Sequence, residues 1–307
     1  MLKDIANGVL ITCLILAASI IIPIFGIFCS LLLPLPILFY RIKLGRNISA
    51  LIPIFALVMM VIVMSTFPFD IVFVAVLFII GFSLGELLES QISIEKTMLI
   101  TGVLVFFGGA FSMILFGAVS GHDLFDDFSR SVAHNREFLL ELYRNMGMPA
   151  QNIPDFTRFL DEIQKMVTRI LPGLVITSTF FIIWINLLLG RTLLKSRHMQ
   201  YPDYGRLNLW QAPDYLVWGV IGCGLLILIP ADMAKTIGLN GLIALMMIYF
   251  FQGIAIVSFF FEKKQVPRFA KIMLYALLAL QEVLLIVIAI GFIDVWTNFR
   301  KLEKIKY

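Results

Sequence analysis

Charge is scarce in this 307-residue chain, where Asp, Glu, Lys and Arg together make up 14% of the residues. A soluble domain carries about 25%, so most of this protein's surface is not built to face water. Cysteine is scarce as well. Cys13, Cys29 and Cys223 lie in apolar stretches and form no CxxC pair. They read as small packing residues, which excludes a disulfide framework and a thiolate metal site. The only histidines, His122, His134 and His198, fall outside the apolar stretches. Without a triad, a metal set or a phosphate loop, the chain is not expected to be an enzyme or to hold a cofactor. The net charge of +4 is small and sits between the apolar runs, so it bears on topology and argues against nucleic-acid binding.

What is present is apolar: 60% of the residues, with 28 Phe and 14 Met. Nine apolar segments are expected to be helical spans, at about 8–24, 27–40, 48–66, 71–88, 97–119, 170–189, 215–230, 239–261 and 270–296. The second is broken by Pro34 and Pro36, and Pro68 marks a turn between the third and fourth. The first resembles a signal peptide in having Lys3 before an apolar run, but another apolar segment follows at once, so it reads as a span. The fold class is therefore all-α: a polytopic transmembrane bundle of about nine spans with one amphipathic helical insert outside the membrane. Residues 1–119 hold spans one to five, 120–169 the insert and 170–190 span six. Residues 191–307 hold a cytoplasmic link, spans seven to nine and a basic tail.

The insert is the one long stretch rich in charge. Asn135 is a candidate N-cap, followed by Phe138, Leu139, Leu142 and Tyr143 at helical spacing until Gly147. A second helix starts near Pro154, with Phe156, Phe159, Leu160, Ile163 and Val167 opposite Arg158, Asp161, Glu162 and Lys165. The two helices read either as packed on each other or on the membrane surface, or as a lid over a cavity between the spans. His122 with Asp123, Asp126 and Asp127 matches no metal loop and reads as a helix-start acidic cluster.

Lys and Arg cluster after the second, sixth and eighth segments. The positive-inside rule then puts the N-terminus in the cytoplasm and residues 120–169 outside. Nine crossings would leave the basic tail, with Arg300, Lys301, Lys304 and Lys306, outside. Segment nine is also long for one span. It reads as a single strongly tilted helix, with a break at Gln281-Glu282 as the alternative that would return the chain to the cytoplasm.

Polar residues inside spans are the candidate functional groups. Glu282, Gln281, Gln252 and Asn186 could line a substrate or proton path, since an intramembrane ionisable group is expensive and faces a bundle interior or a water-filled cavity. They could equally form an interhelical hydrogen bond, with Glu282 protonated against Gln252 or Asn186. Gly81-Phe-Ser83-Leu-Gly85 matches the nucleophile pattern of serine hydrolases. Inside an apolar helix it reads instead as a GxxxG face, with Gly81 and Gly85 packing against a neighbouring helix.

Four stretches carry a family resemblance: Asn186-Leu-Leu-Leu-Gly-Arg191, Pro213-Asp214, Tyr249-Phe-Phe-Gln252-Gly253-Ile-Ala-Ile-Val, and Gly291-Phe-Ile-Asp294-Val-Trp296-Thr-Asn-Phe-Arg300. Through them the chain resembles the YybS-like family of uncharacterised bacterial membrane proteins (domain of unknown function 2232), along its whole length. The first six spans are similar in layout to the substrate-binding components of energy-coupling-factor transporters. That resemblance implies an inner-membrane protein that binds or transports an unknown small solute, with membrane subunits as possible partners besides the lipid bilayer. The alternative is a non-enzymatic scaffold for envelope or division machinery.

Overall fold

The structure, a computed structural model, describes residues 2–22, 25–64, 68–120, 124–146, 153–199, 201–202 and 204–300. His122, Asp123, Gly147 and the tail beyond Arg300 lie outside the described residues, as do the side chains of Asp126 and Asp127. The described residues form an all-α membrane bundle. Two compact units divide it: residues 1–162 with 178–203, and residues 163–177 with 204–307.

The first unit holds α1 (Leu2–Ile21), α2 (Phe25–Leu31), α3 (Pro34–Leu44), α4 (Arg46–Ser49), α5 (Leu51–Met64), α6 (Pro68–Glu89), α7 (Ile94–Ser120), α8 (Leu124–Asn145) and most of α9 (Ile153–Ser196). Lipid tails are as apolar as leucine, so burial does not drive these helices together; close van der Waals packing does, and it needs small residues. α3 is the hub. A Cβ on Gly81 of α6 would strike the Pro34 carbonyl, and one on Gly85 would lie 2.5 Å from Cγ of Arg41. Gly8 of α1 faces Tyr40, and Gly190 of α9 faces Leu38. Where helices do not meet, apolar side chains stay exposed, as with Phe106, Phe107, Phe111 and Ile114 of α7, a surface suited to lipid and not to water.

The break between α2 and α3 follows from proline chemistry. Pro34 and Pro36 have no N–H to give to Ser30 and Leu32, so the chain tightens into i→i−3 bonds, Leu33 to Ser30 and Leu35 to Leu32. The Leu31 carbonyl instead accepts from Nδ2 of Asn186 at 2.9 Å. Irregular backbone at membrane depth is tolerated only where protein covers it in this way.

Across the insert, α8 starts at Leu124, so Asn135 sits mid-helix and does not cap it. α8 runs antiparallel to the start of α9, joined by an Arg136–Asp161 ion pair at 3.0 Å. The Tyr143 and Phe156 rings stack with centroids 4.2 Å apart. The change of composition near residue 170 is not an element boundary: α9 continues through it for 44 residues. At 1.5 Å per residue it is about 66 Å long, roughly twice the hydrocarbon core. The helix that spans the membrane thus extends out of it as one arm of the α8–α9 hairpin.

The second unit contains α10 (Leu216–Leu228), α11 (Asp232–Lys263), α12 (Arg268–Ala276) and α13 (Gln281–Thr297), together with residues 163–177 of α9. Pro172 inside α9 leaves the Thr168 carbonyl without its N–H donor. At the adjoining step, the Asn240 carboxamide of α11 accepts from the Gly173 N–H and donates to the Arg169 carbonyl at 2.8 Å. Arg169 also pairs with Asp232 at 2.6 Å. α11 and α13 cross at two glycines. A Cβ on Gly253 would overlap the Val287 carbonyl, and one on Gly291 the Tyr249 carbonyl.

By length and composition, five helices among the described residues can cross a membrane: α1, α6, α7, α9 and α11. The third and seventh predicted segments fall on shorter apolar helices, α5 and α10, and the second on the α2–α3 pair, none of which is long enough by itself to cross. The ninth segment departs from expectation. It is not one tilted helix: α12 ends at Ala276, a 3-10 turn covers Leu277–Ala279, and α13 leaves at 103°. Gln281 and Glu282 open α13 because its first N–H groups have no intrahelical acceptor and favour a nearby carboxylate.

Candidate functional site

The polar centre of the second unit is built where α11 and α13 cross. Gly253 and Gly291 bring the two backbones together, and one turn away Gln252 and Asp294 project into the same space. The segment after residue 204 completes it. A 3-10 turn at Leu207–Leu209 presents Asn208, and extended backbone at Trp210 carries the chain inward to Ala212 and Asp214.

Asp294 and Arg300 form an ion pair at 3.1 Å with both side chains fully buried. Asp294 Oδ2 also accepts from Nε2 of Gln252 at 3.0 Å, and Oδ1 accepts from the Phe299 N–H at 2.7 Å. The second bond is possible because Asn298 turns the chain back in the left-handed region, at φ 43°. Gln252 Oε1 accepts from the Ala212 N–H at 3.2 Å. Arg300 Nη1 donates to the carbonyls of Asn208 and Trp210 at 2.8 and 3.0 Å. One guanidinium thus ties the end of the described chain to the link and to α13. Burial pushes the Arg300 pKa below its ordinary value, and the Asp294 carboxylate beside it pulls the other way. Nε of Arg300 and the hydroxyl of Tyr249 are buried without a partner among the described residues.

Beside this network lies a recess lined by Gln211, Ala212, Asp214, Gln252, Asp294 and Asn298. It has room for about one water molecule. On the rim of the unit, Glu262 accepts from Arg206 at 2.6 Å and from Asn208, so the link is anchored at both its charged and its buried ends.

The residues proposed from sequence are dispersed. Gln252 is buried in this network. Asn186 belongs to the first unit, where it is buried and serves the α2–α3 break; its Oδ1 has no partner. Gln281 and Glu282 are exposed in the first turn of α13, so Glu282 stands at the break between α12 and α13 and not inside one continuous helix, and it is not bonded to Gln252. Gly81 and Gly85 lie on the α3 contact, not at a nucleophile turn. Beside them, Arg41 is buried and forks onto Glu86 and Glu89 of α6, with its guanidinium 5.8 Å from the centre of the Phe82 ring.

Sequence reasoning missed Asp294, Arg300, Asn208 and Asn240. The first two stand within the stretches that carry the family resemblance, and that signal could have found them. Asn240 could have been found as the amide near the start of the eighth apolar segment.

A family profile described as "Predicted membrane protein (DUF2232)" matches residues 10–295. No curated protein and no solved structure matches the chain.

Proposed function

Because the chain belongs to the DUF2232 family of predicted membrane proteins, we propose that it acts as a small-solute binding or transport component of the bacterial inner membrane. One observation carries this reading: two fully buried opposite charges in a membrane-embedded unit, next to a polar recess. Ionisable groups buried this fully are costly and cluster at functional sites. The unpartnered Arg300 Nε and Tyr249 hydroxyl leave hydrogen-bonding capacity unused close by. In the conformation described the recess is small, so a solute larger than water would require residues 207–212 to shift.

The test is native purification followed by mass spectrometry of co-purifying small molecules. A molecule retained at near one-to-one stoichiometry by the wild type and lost in Asp214→Ala is the expected result. Asp214 lines the recess and is not a member of the Asp294–Arg300 ion pair, and thermal unfolding of the variant in detergent separates loss of a ligand from loss of the fold. No stoichiometric small molecule, or equal retention in the variant, would overturn the reading.

A scaffold for envelope or division machinery is the second reading, and the α8–α9 hairpin favours it. Phe138, Leu142, Met146 and Phe159 are exposed there, on helices that leave the membrane. A protein partner recovered with the wild type and lost in Phe138→Ser/Leu142→Ser would support this alternative.

In the proposed orientation the N-terminus is cytoplasmic and the hairpin lies outside. The bend before α13 supports it, since Arg300 is held to the link at 207–210 and so lies on the link's side. On a background free of Cys13, Cys29 and Cys223, Arg158→Cys should react with an impermeant thiol reagent in intact cells. Lys264→Cys should react only after permeabilisation. The reverse pattern would invert the orientation.

A further inference from the structure

α12 does not behave as part of a span. None of its side chains is buried, and Phe269, Ile272 and Met273 are 75%, 67% and 55% exposed. These three share one helical face at i, i+3 and i+4, while Arg268, Lys271 and Tyr275 share the neighbouring one. α13, by contrast, is 17 residues long, about 25 Å, and meets the spanning helix α11 at Gly253 and Gly291. Two helices meeting at 103° cannot both follow the membrane normal. If α13 runs with α11, α12 lies close to the membrane plane.

Its depth is fixed by a ring contact. Tyr275 packs edge-on against Phe261, in the last turn of α11, with centroids 5.4 Å apart. That turn ends in Lys263 and Lys264, both exposed, the usual mark of the headgroup level. Four cations, Lys263, Lys264, Arg268 and Lys271, therefore sit at one level around an apolar face. The facing acid is Glu262, which Lys271 influences electrostatically and which already accepts from Arg206 and Asn208. The surface keeps a positive excess.

We propose that α12 and the Lys263–Lys264 pair form a binding surface for anionic phospholipid headgroups. Phe269, Ile272 and Met273 sink between the acyl chains, and the four cations lie at phosphate level. The partner is identified by chemistry: an apolar face about 10 Å deep into the lipid suits acyl chains, and each basic side chain at a negatively charged surface adds to the attraction. This proposal is independent of whether the protein carries a solute.

The full-length protein, purified in mild detergent, is mixed with equal amounts of phosphatidylglycerol and phosphatidylcholine, and bound lipid is counted by native mass spectrometry. The wild type should retain phosphatidylglycerol in clear excess. A Lys263→Gln/Lys264→Gln/Arg268→Gln/Lys271→Gln variant should lose that preference by about tenfold or more. Equal retention of the two lipids by the wild type overturns the proposal, as does an unchanged preference in the variant. Inorganic phosphate that displaces the lipid at millimolar concentration assigns the cations to a free anion and overturns it too. Should the fourfold variant fail to fold, Ile272→Cys labelled with a small fluorophore and placed in phosphatidylglycerol-containing nanodiscs gives an independent readout. Quenching by a lipid spin label near the glycerol region is expected to exceed quenching by aqueous iodide, and the reverse order overturns the proposal.

Discussion

Arg300→Ala is expected to destabilise the purified protein by about 3–5 kcal/mol, the usual cost of leaving a buried partner charge uncompensated. Asp294 would remain buried with Gln252 and the Phe299 N–H as its hydrogen-bond donors. The carbonyls of Asn208 and Trp210 would lose their common donor at the same time, so the link would loosen from the unit. Arg300→Lys keeps the charge, but a single ammonium cannot reproduce a fork that serves one carboxylate and two carbonyls. It should fall between the wild type and Ala. An Asp294→Leu/Arg300→Met pair should recover much of the loss, because removing both charges is far cheaper than removing one. Thermal unfolding in detergent reads all three variants. A melting temperature for Arg300→Ala equal to that of the wild type would show that the ion pair is not held in the buried form described.

Gly291→Ala should be the most damaging substitution by a single methyl group. The added Cβ would coincide with the Tyr249 carbonyl and crowd the Gly253 N–H. Neither obstacle is a flexible side-chain end, so α11 and α13 must separate, and Gln252 then leaves Asp294. Overpacking of a rigid contact costs about 1–3 kcal/mol, and the coupled loss of the polar network adds to that. Gly222→Ala in α10 is the matched control. Its Cβ would meet nothing within 4 Å, and alanine is the better helix former by up to about 1 kcal/mol. The two changes should shift the melting temperature in opposite directions. A Gly291→Ala protein as stable as the wild type would mean that the two helices do not cross at these glycines.

Much of this bundle was legible in the residues because lipid imposes one simple requirement, a run of apolar side chains long enough to cross. Pro34 and Pro36 announced the α2–α3 break, and Gly81 and Gly85 were singled out as a packing face. What the pattern concealed was continuity and discontinuity along the axis. At residue 170 the composition changes from amphipathic to apolar while the backbone stays helical, so a solvent boundary resembled an element boundary. At residues 277–280 the reverse holds, since the composition stays apolar while the helix stops. Glu282 looked central because it lies near the middle of an apolar stretch, yet the stretch folds at that point and the carboxylate finds the start of a helix. Asp294, Arg300 and Asn208 come together only because a polar link of the chain turns back into the unit. No periodicity records such a return, since it is set by hydrogen bonds between residues about 90 positions apart.

The uninterrupted course of α9 has a mechanical consequence. Pro172 and the Asn240 amide mark the place where its hydrogen-bond ladder is weakest and where a side chain of α11 holds it. About 29 Å of helix lies on the hairpin side of that joint and about 36 Å on the other. A bend of about 10° at that joint would displace the hairpin end of α9 by roughly 5 Å from the line of its apolar half, so the one helix that joins a water-facing arm to an apolar stretch carries its own hinge.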